Sequence, residues 1–255
     1  PKPVHWIMRR DANEPFVTND TKFGKLYRVG NRDEMLRLLR EEQGLAWTAH
    51  ARIKASNFAP DHYRDQDFFR DPTWLGAAWK AMPADLSRPK LGERVLDLLD
   101  DMNNWGARKQ VIGEVDVFKL DHTHELYGHM NVNYVQIENM PEFDQGWAPL
   151  LDALRSGRFF TTTGEVLIER FALADDLTAE ISWTFPPKFA EVISGDGDRV
   201  YRTRIDLTGE PAFGRKTIRV APDLKGRRWV RFEVWDVAAN GAFTQPIRLE
   251  EGGPR

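Results

Sequence analysis

The spacing of apolar residues divides this chain into two parts with different periods, and that division constrains the fold most strongly. In the last part, apolar side chains recur at every second position, for example at Ile181, Trp183 and Phe185, and no long helical pattern interrupts them. Strict alternation is typical of strands with one buried face, and Asp196-Gly197 is a hairpin-turn signal. We therefore expect residues 166–255 to form an antiparallel, β-sandwich-like domain.

Residues 1–165 alternate instead between strand-like and helix-like patterns. Apolar residues from Leu91 to Met102 recur at helical spacing, and strand-like runs lie at Leu45–Ala49 and Gln110–Val115. Strands that alternate with helices in this way are typical of α/β folds with parallel strands. In such folds, functional sites form at the carboxyl ends of the strands.

Local signals predict where several helices begin and end. Asn31 is followed by Glu34 at capping-box spacing, which predicts a helix start, and Gly44 fits the end of that helix. A short helix is predicted over residues 74–82, and Asp144 is predicted to cap another helix.

Composition excludes several classes of protein. The 255 residues carry 36 basic and 39 acidic side chains, a formal net charge of -3, so we expect no nucleic-acid partner. The absence of cysteine excludes disulfides and thiolate zinc sites. No apolar run approaches the roughly 20 residues of a membrane-spanning helix. Because the chain begins at Pro1 with neither an initiator methionine nor a signal peptide, we expect a processed or truncated product.

Four of the six histidines lie where metal ligands would be useful: His50, His122, His124 and His129. His50 comes directly after one predicted strand, and Asp116 comes directly after another. His122 and His124 lie two residues apart, so in an extended segment both imidazoles would point to the same side. Imidazole and carboxylate suit zinc, manganese or iron, and the sequence predicts one such divalent ion held by His50, Asp116, His122 and His124.

The neighbouring residues extend this hypothesis to a catalytic site. His50 and Asp116 are the candidate catalytic residues, and Arg52 and His129 are the candidates for binding a small-molecule substrate. Alternative or supporting ligands lie close in sequence: Glu114, Asp121, Glu125 and His129. The alternative for each is structural, because a histidine after a strand commonly satisfies backbone groups and an aspartate there commonly caps a turn.

Three segments resemble the carbaryl-hydrolase-like (CehA/McbA) branch of the PHP metallohydrolase superfamily. Trp47–Arg52 is similar to its strand ending in a His-Pro-Arg type motif, and Ile112–Asp116 to its strand ending in Ser-Asp-x-His. Leu151–Gly164, which reads LDALRSGRFFTTTG, resembles its helix, Gly-Arg and strand signature and is the most specific match. The resemblance covers roughly residues 25–170.

The resemblance implies a partial or distorted α/β barrel that binds divalent metal and hydrolyses phosphoester, carbamate or amide-type bonds with a metal-activated water. His50 and Asp116 carry over as metal ligands. The chain also departs from the pattern. Ala51 replaces a proline, Phe118 replaces a histidine, and the opening Asp-x-His-x-His strand is not found before residue 25. The alternative hypothesis is therefore a non-catalytic PHP-like module with a β-sandwich that binds a partner or a glycan.

Overall fold

The fold is built mainly from β-strands. The computed structural model describes residues 4–20, 22–52, 59–79, 87–115, 131–174 and 176–249. Strands contain 41% of the residues and helices 19%, so sheets rather than helices determine the architecture. The described ranges contain four α-helices: α1 (Arg32–Glu41), α2 (Ala59–Tyr63), α3 (Glu93–Asn104) and α4 (Ala148–Arg155).

A small N-terminal sheet supports helix α1. It contains three strands: β1 (His5–Met8), β2 (Val17–Asp20) and β3 (Gly24–Val29). Strand β3 lies in the middle, parallel to β1 and antiparallel to β2. Tyr27 and Val29 of β3 pack against Leu38 of α1 in a core of their own.

Helix α1 begins at the predicted cap. The Asn31 side chain accepts a hydrogen bond from the N–H of Glu34 at 2.9 Å, which confirms Asn31 as the N-cap. The Glu34 carboxylate accepts from the N–H of Gly30 instead of that of Asn31, so only half of the capping box forms. At the other end, Gln43 and not Gly44 takes the left-handed backbone, with φ of 56°.

A three-stranded parallel sheet occupies the middle of the chain. Its strands, in order across the sheet, are β4 (Ala46–Thr48), β5 (Trp74–Trp79) and β6 (Gln110–Gly113). Helix α3 connects β5 to β6, and its Leu99 and Met102 share a core with Trp79. The prediction of a helix over residues 74–82 is wrong for residues 74–79, which form strand β5. All six residues of this central strand are buried, and a short, fully apolar run lacks the alternation that separates a strand from a helix.

Two antiparallel sheets follow. The larger contains β7 (Val132–Val135), β8 (Phe159–Thr162), β11 (Pro187–Gly195), β12 (Val200–Asp206), β14 (Trp229–Asp236), β15 (Gly241–Thr244) and β16 (Ile247–Arg248). The smaller contains β9 (Val166–Leu173), β10 (Leu177–Trp183) and β13 (Gly214–Val220). The order of the larger sheet is β12-β11-β14-β15-β8-β7, with β16 also paired to β14, and that of the smaller is β13-β10-β9.

Apolar side chains from both antiparallel sheets meet in one core. Ile181 of β10 and Val192 of β11 belong to it, and the rings of Phe171 and Phe232 stack across it at 5.9 Å. Strands β7 and β8 pair into the larger sheet although they precede residue 166. The sheet therefore continues across the boundary that the change of period suggested.

The other face of the larger sheet is joined to α3 through buried charges. Arg231 of β14 bonds to Asp100 of α3, while Lys90 bonds to both Glu191 and Glu233. All five side chains are buried. Burial alone would raise the pKa of the Glu233 carboxyl, but Arg231 and Lys90 outweigh it and hold that pKa far below its usual range. The Glu233 carboxylate therefore stays ionised, and the network of hydrogen bonds joins α3 to the larger sheet.

The predicted α/β barrel is wrong. The described residues form several separate sheets and no closed barrel. Parallel pairing stops after three strands because the outer edge of β6 is occupied by side-chain amides, those of Asn133 and Gln245, and not by another strand. The next strand, β7, pairs with β8 in the antiparallel sheet instead.

Candidate active site at the edge of the parallel sheet

His50 and Glu114 meet at the carboxyl edge of the parallel sheet. The backbone N–H of His50 donates to Oε1 of Glu114 at 3.0 Å. Glu114 directly follows β6, and its own N–H donates to the carbonyl of Trp79 at the end of β5 at 2.9 Å. The ends of all three parallel strands thus converge. His50 has a left-handed backbone, with φ of 53°, which turns the chain sharply as it leaves β4.

Asn131 ties the same edge to the start of β7. Its side-chain amide donates to the carbonyls of Trp79 (3.1 Å) and Glu114 (3.0 Å). Its Oδ1 is buried and has no hydrogen-bond partner among the described residues. An unpartnered buried acceptor carries a desolvation cost, so a donor or a cation at this edge would be stabilised by Asn131.

Four of the predicted site residues lie outside the described residues: Asp116, His122, His124 and His129. The same holds for Asp121 and Glu125. The described flanks of that stretch, Val115 and Asn131, both lie at the carboxyl edge of the parallel sheet. Of the predicted metal ligands, the structure therefore describes His50, and it places Glu114, considered above only as an alternative ligand, next to it.

Arg52, predicted to bind substrate, is paired within the protein. Its guanidinium bonds to Asp61 of α2, with Nε 3.1 Å from Oδ2, and to Asp101 of α3, with Nη2 2.8 Å from Oδ2. Burial would lower the pKa of Arg52, but these two carboxylates outweigh it and raise that pKa. The two carboxylates compensate the charge of Arg52, which thereby links α2 to α3 two residues after His50.

The described donor set is chemically suited to a hard divalent ion but is incomplete. Glu114 supplies a carboxylate and His50 an imidazole, and both residue types bind zinc, manganese and iron. Within the described ranges, no group of three or more His, Asp or Glu side chains could hold a metal ion. A site here therefore requires ligands from residues 116–130.

The tryptophans bear on the glycan-binding alternative. Those of the antiparallel sheets are all buried: Trp183, Trp229 and Trp235. The three that are more than a third exposed, Trp6, Trp47 and Trp147, lie on β1, on β4 and at the start of α4. They belong to three different elements, so the described part of the sandwich has no exposed row of tryptophans of the kind that stacks on sugars.

Comparison of the chain with family models, with curated proteins and with solved structures found no match. The resemblance to the PHP superfamily therefore stays a prediction. No helix in the described ranges is long and apolar enough to cross a membrane.

Glu114 was predicted as an alternative ligand, and its position directly after a strand is the signal that points to it. The sequence does not predict a cluster of four arginines beside the larger sheet, because these residues come from four separate segments and only the topology gathers them.

Proposed function

We propose that this chain is a metal-dependent hydrolase of phosphoester, carbamate or amide-type bonds, with its site at the carboxyl edge of the parallel sheet. The observation that carries the proposal is the contact between His50 and Glu114. It brings together the ends of two strands that are 64 residues apart, next to the flanks of the histidine-rich stretch 116–130.

In this proposal, individual residues would bind the metal ion, position a ligand or accept a hydrogen bond at the site. His50, Asp116, His122 and His124 would hold the ion, and Glu114 would fix the turn that presents His50. Asn131 Oδ1 would accept a hydrogen bond from water or substrate at the site. A bound divalent ion lowers the pKa of water towards neutrality and polarises the scissile bond.

Element analysis of the untagged chain, after dialysis against zinc, manganese and iron, tests this function. We expect close to one ion per chain and hydrolysis of p-nitrophenyl phosphate or 1-naphthyl N-methylcarbamate that a chelator abolishes. His50→Asn removes the imidazole while suiting the left-handed backbone, and we expect it to lower metal affinity by at least about tenfold.

His5→Asn is the matched control, because His5 lies on β1 in a different sheet. Metal content should be unchanged in this variant. Glu114→Gln keeps an acceptor for the His50 N–H but removes the charge, so loss of metal in that variant would assign the carboxylate as a ligand. Wild-type chain without bound metal, or equal metal content in the His50 and His5 variants, would contradict the proposal.

A further inference from the structure

A cavity of about 580 Å³ opens in the larger antiparallel sheet at the point where β8 and β15 stop pairing. Strand β8 pairs with β15 only as far as Phe160 opposite Thr244. The chain then passes through Gln245 and Pro246 into β16, which pairs with β14 and with no other described strand. The end of β7 and the edge strand β9 line the remaining gap. Its volume lies within the range of small-molecule pockets.

The cavity concentrates positive charge in a protein whose formal net charge is -3. It is lined by four arginines: Arg108, Arg158, Arg170 and Arg248. Among the described lining residues the one acid is Glu169, and its carboxylate already accepts from Arg215 at 2.9 Å. Arg170 pairs at 3.5 Å with Glu180, which lies outside the lining. Arg108 and Arg158 form no ion pair with any described residue.

Arg248 is held in the wall by neutral oxygens. Its guanidinium donates to the side-chain oxygen of Asn103 at 3.0 Å and to the backbone carbonyls of Asn103 and Ala107. Burial and the positive charges of Arg108 and Arg228 lower the pKa of Arg248. Within the described residues no carboxylate pairs with Arg108, Arg158 or Arg248, so an anion in the cavity would relieve the repulsion among these three charges.

The rest of the lining is aromatic and aliphatic. The rings of Tyr134 and Phe160 stack at 5.0 Å and are nearly parallel, with an interplanar angle of 3°. Phe171, Ile168 and Ile247 add apolar surface. Tyr134 remains 47% exposed, so a planar group of a ligand could extend the stack. The planar guanidinium fork of arginine suits the two oxygens of a carboxylate or phosphate.

We propose that this cavity binds a small organic anion, with its oxyanion head held by Arg158 and Arg108 and its planar apolar part packed against Tyr134 and Phe160. This site is distinct from the edge of the parallel sheet and does not depend on the function proposed there.

Calorimetric titration of the full chain with phenylphosphonate tests the proposal, because this probe combines the two groups and is not a phosphoester. Wild-type protein should bind it saturably at millimolar concentrations or below. Benzoate tests whether a carboxylate head also serves, inorganic phosphate should bind more weakly, and phenol should not bind measurably.

Two exposed arginines provide a matched pair of variants. Arg158→Gln should weaken phenylphosphonate binding at least about tenfold, whereas Arg219→Gln on β13, outside the cavity, should bind as the wild type does. Tyr134→Ser should weaken binding of phenylphosphonate but not of inorganic phosphate.

His50→Asn should bind phenylphosphonate like the wild type, which separates this cavity from the proposed metal site. Circular dichroism would verify that each variant is folded. Absence of saturable binding to the wild type, or an equal loss in the Arg158 and Arg219 variants, would overturn the proposal.

Discussion

Gln245 holds both backbone groups of Val111 with one side-chain amide. Its Oε1 accepts from the N–H of Val111 at 2.9 Å, and its Nε2 donates to the carbonyl of Val111 at 2.9 Å. Asn133 does the same at Gly113, at 2.8 and 3.0 Å. Two side chains from the antiparallel sheet thus take the place of a fourth parallel strand and satisfy the edge of β6.

Gln245→Met should therefore destabilise the protein by roughly 3 kcal/mol, because methionine fills a similar volume but leaves the buried N–H and carbonyl of Val111 unsatisfied. Denaturant unfolding followed by tryptophan fluorescence would measure the change. Gln136→Met alters an exposed glutamine and should stay within about 0.5 kcal/mol of the wild type. Similar free energies of unfolding for the two variants would show that the amide of Gln245 does not stabilise the edge of β6.

The sequence predicts local structure here better than it predicts closure of the sheet. Helix α3 and the cap at Asn31 follow from periodicity and spacing, which depend on neighbouring residues alone. The end of the parallel sheet depends on Gln245, which lies 134 residues from its partner, and no local pattern marks that pairing. The rhythm of strands and helices predicts parallel strands and is the same whether or not the sheet closes, so the barrel is an expectation that came from the resemblance alone.

The sequence also predicts one of the two candidate sites better than the other. His50 was predictable because it follows a strand, and parallel strands bring their carboxyl ends to one edge. The arginine-lined cavity was not predictable, because Arg108, Arg158 and Arg248 meet only through the pairing order of β7, β8, β15 and β16. Each of these arginines taken alone resembles an ordinary solvated side chain.

Gly76 allows the central parallel strand to lie close to its neighbour. Its φ is 140°, and a Cβ at this position would lie 2.4 Å from the carbonyl oxygen of Gln110. Gly76→Ala should cost about 3 kcal/mol or more, because the clash is with backbone and adds to the strain of the backbone angle. Gly106→Ala, at φ of 82° with open space around it, should cost only about 1 kcal/mol. Thermal unfolding of both variants compares the two costs, and equal losses would exclude the backbone clash as their cause.

Two aspartates on α3 should differ sharply in their contribution to stability. Asp100 is buried and accepts two hydrogen bonds from Arg231, at 2.6 and 3.0 Å, whereas the Asp97 side chain is half exposed and meets Arg202 at 3.2 Å. Asp100→Ala should cost about 3–5 kcal/mol because it leaves the charge of Arg231 with less compensation. Asp97→Ala should cost less than about 1 kcal/mol. Urea unfolding would measure both, and a small effect at Asp100 would mean that the buried network rearranges to compensate.

Lys109 should give the protein a rise in stability at alkaline pH. Its ammonium is buried, lies 4.6 Å from the ring centre of Trp74 and donates to the carbonyls of Asp71 and Trp74. Burial lowers the pKa of Lys109 from 10.5 to about 8, with the Asp71 carboxylate opposing the shift. Between pH 8 and 10.5 the unfolded chain therefore binds a proton that the folded chain does not, so the free energy of unfolding rises with pH over this range.

Replacing Lys109 isolates this contribution from other titrating groups. Relative to Lys109→Met, the wild type should gain roughly 3 kcal/mol in free energy of unfolding between pH 7.5 and 10.5. Lys109→Arg keeps the positive charge throughout this range and should lack the rise, which separates the effect of charge from that of side-chain length. Denaturant unfolding of the three proteins at several pH values supplies the comparison. Parallel curves would mean that the Lys109 ammonium stays protonated in the folded protein, held by the two carbonyls and the indole ring more strongly than burial disfavours it.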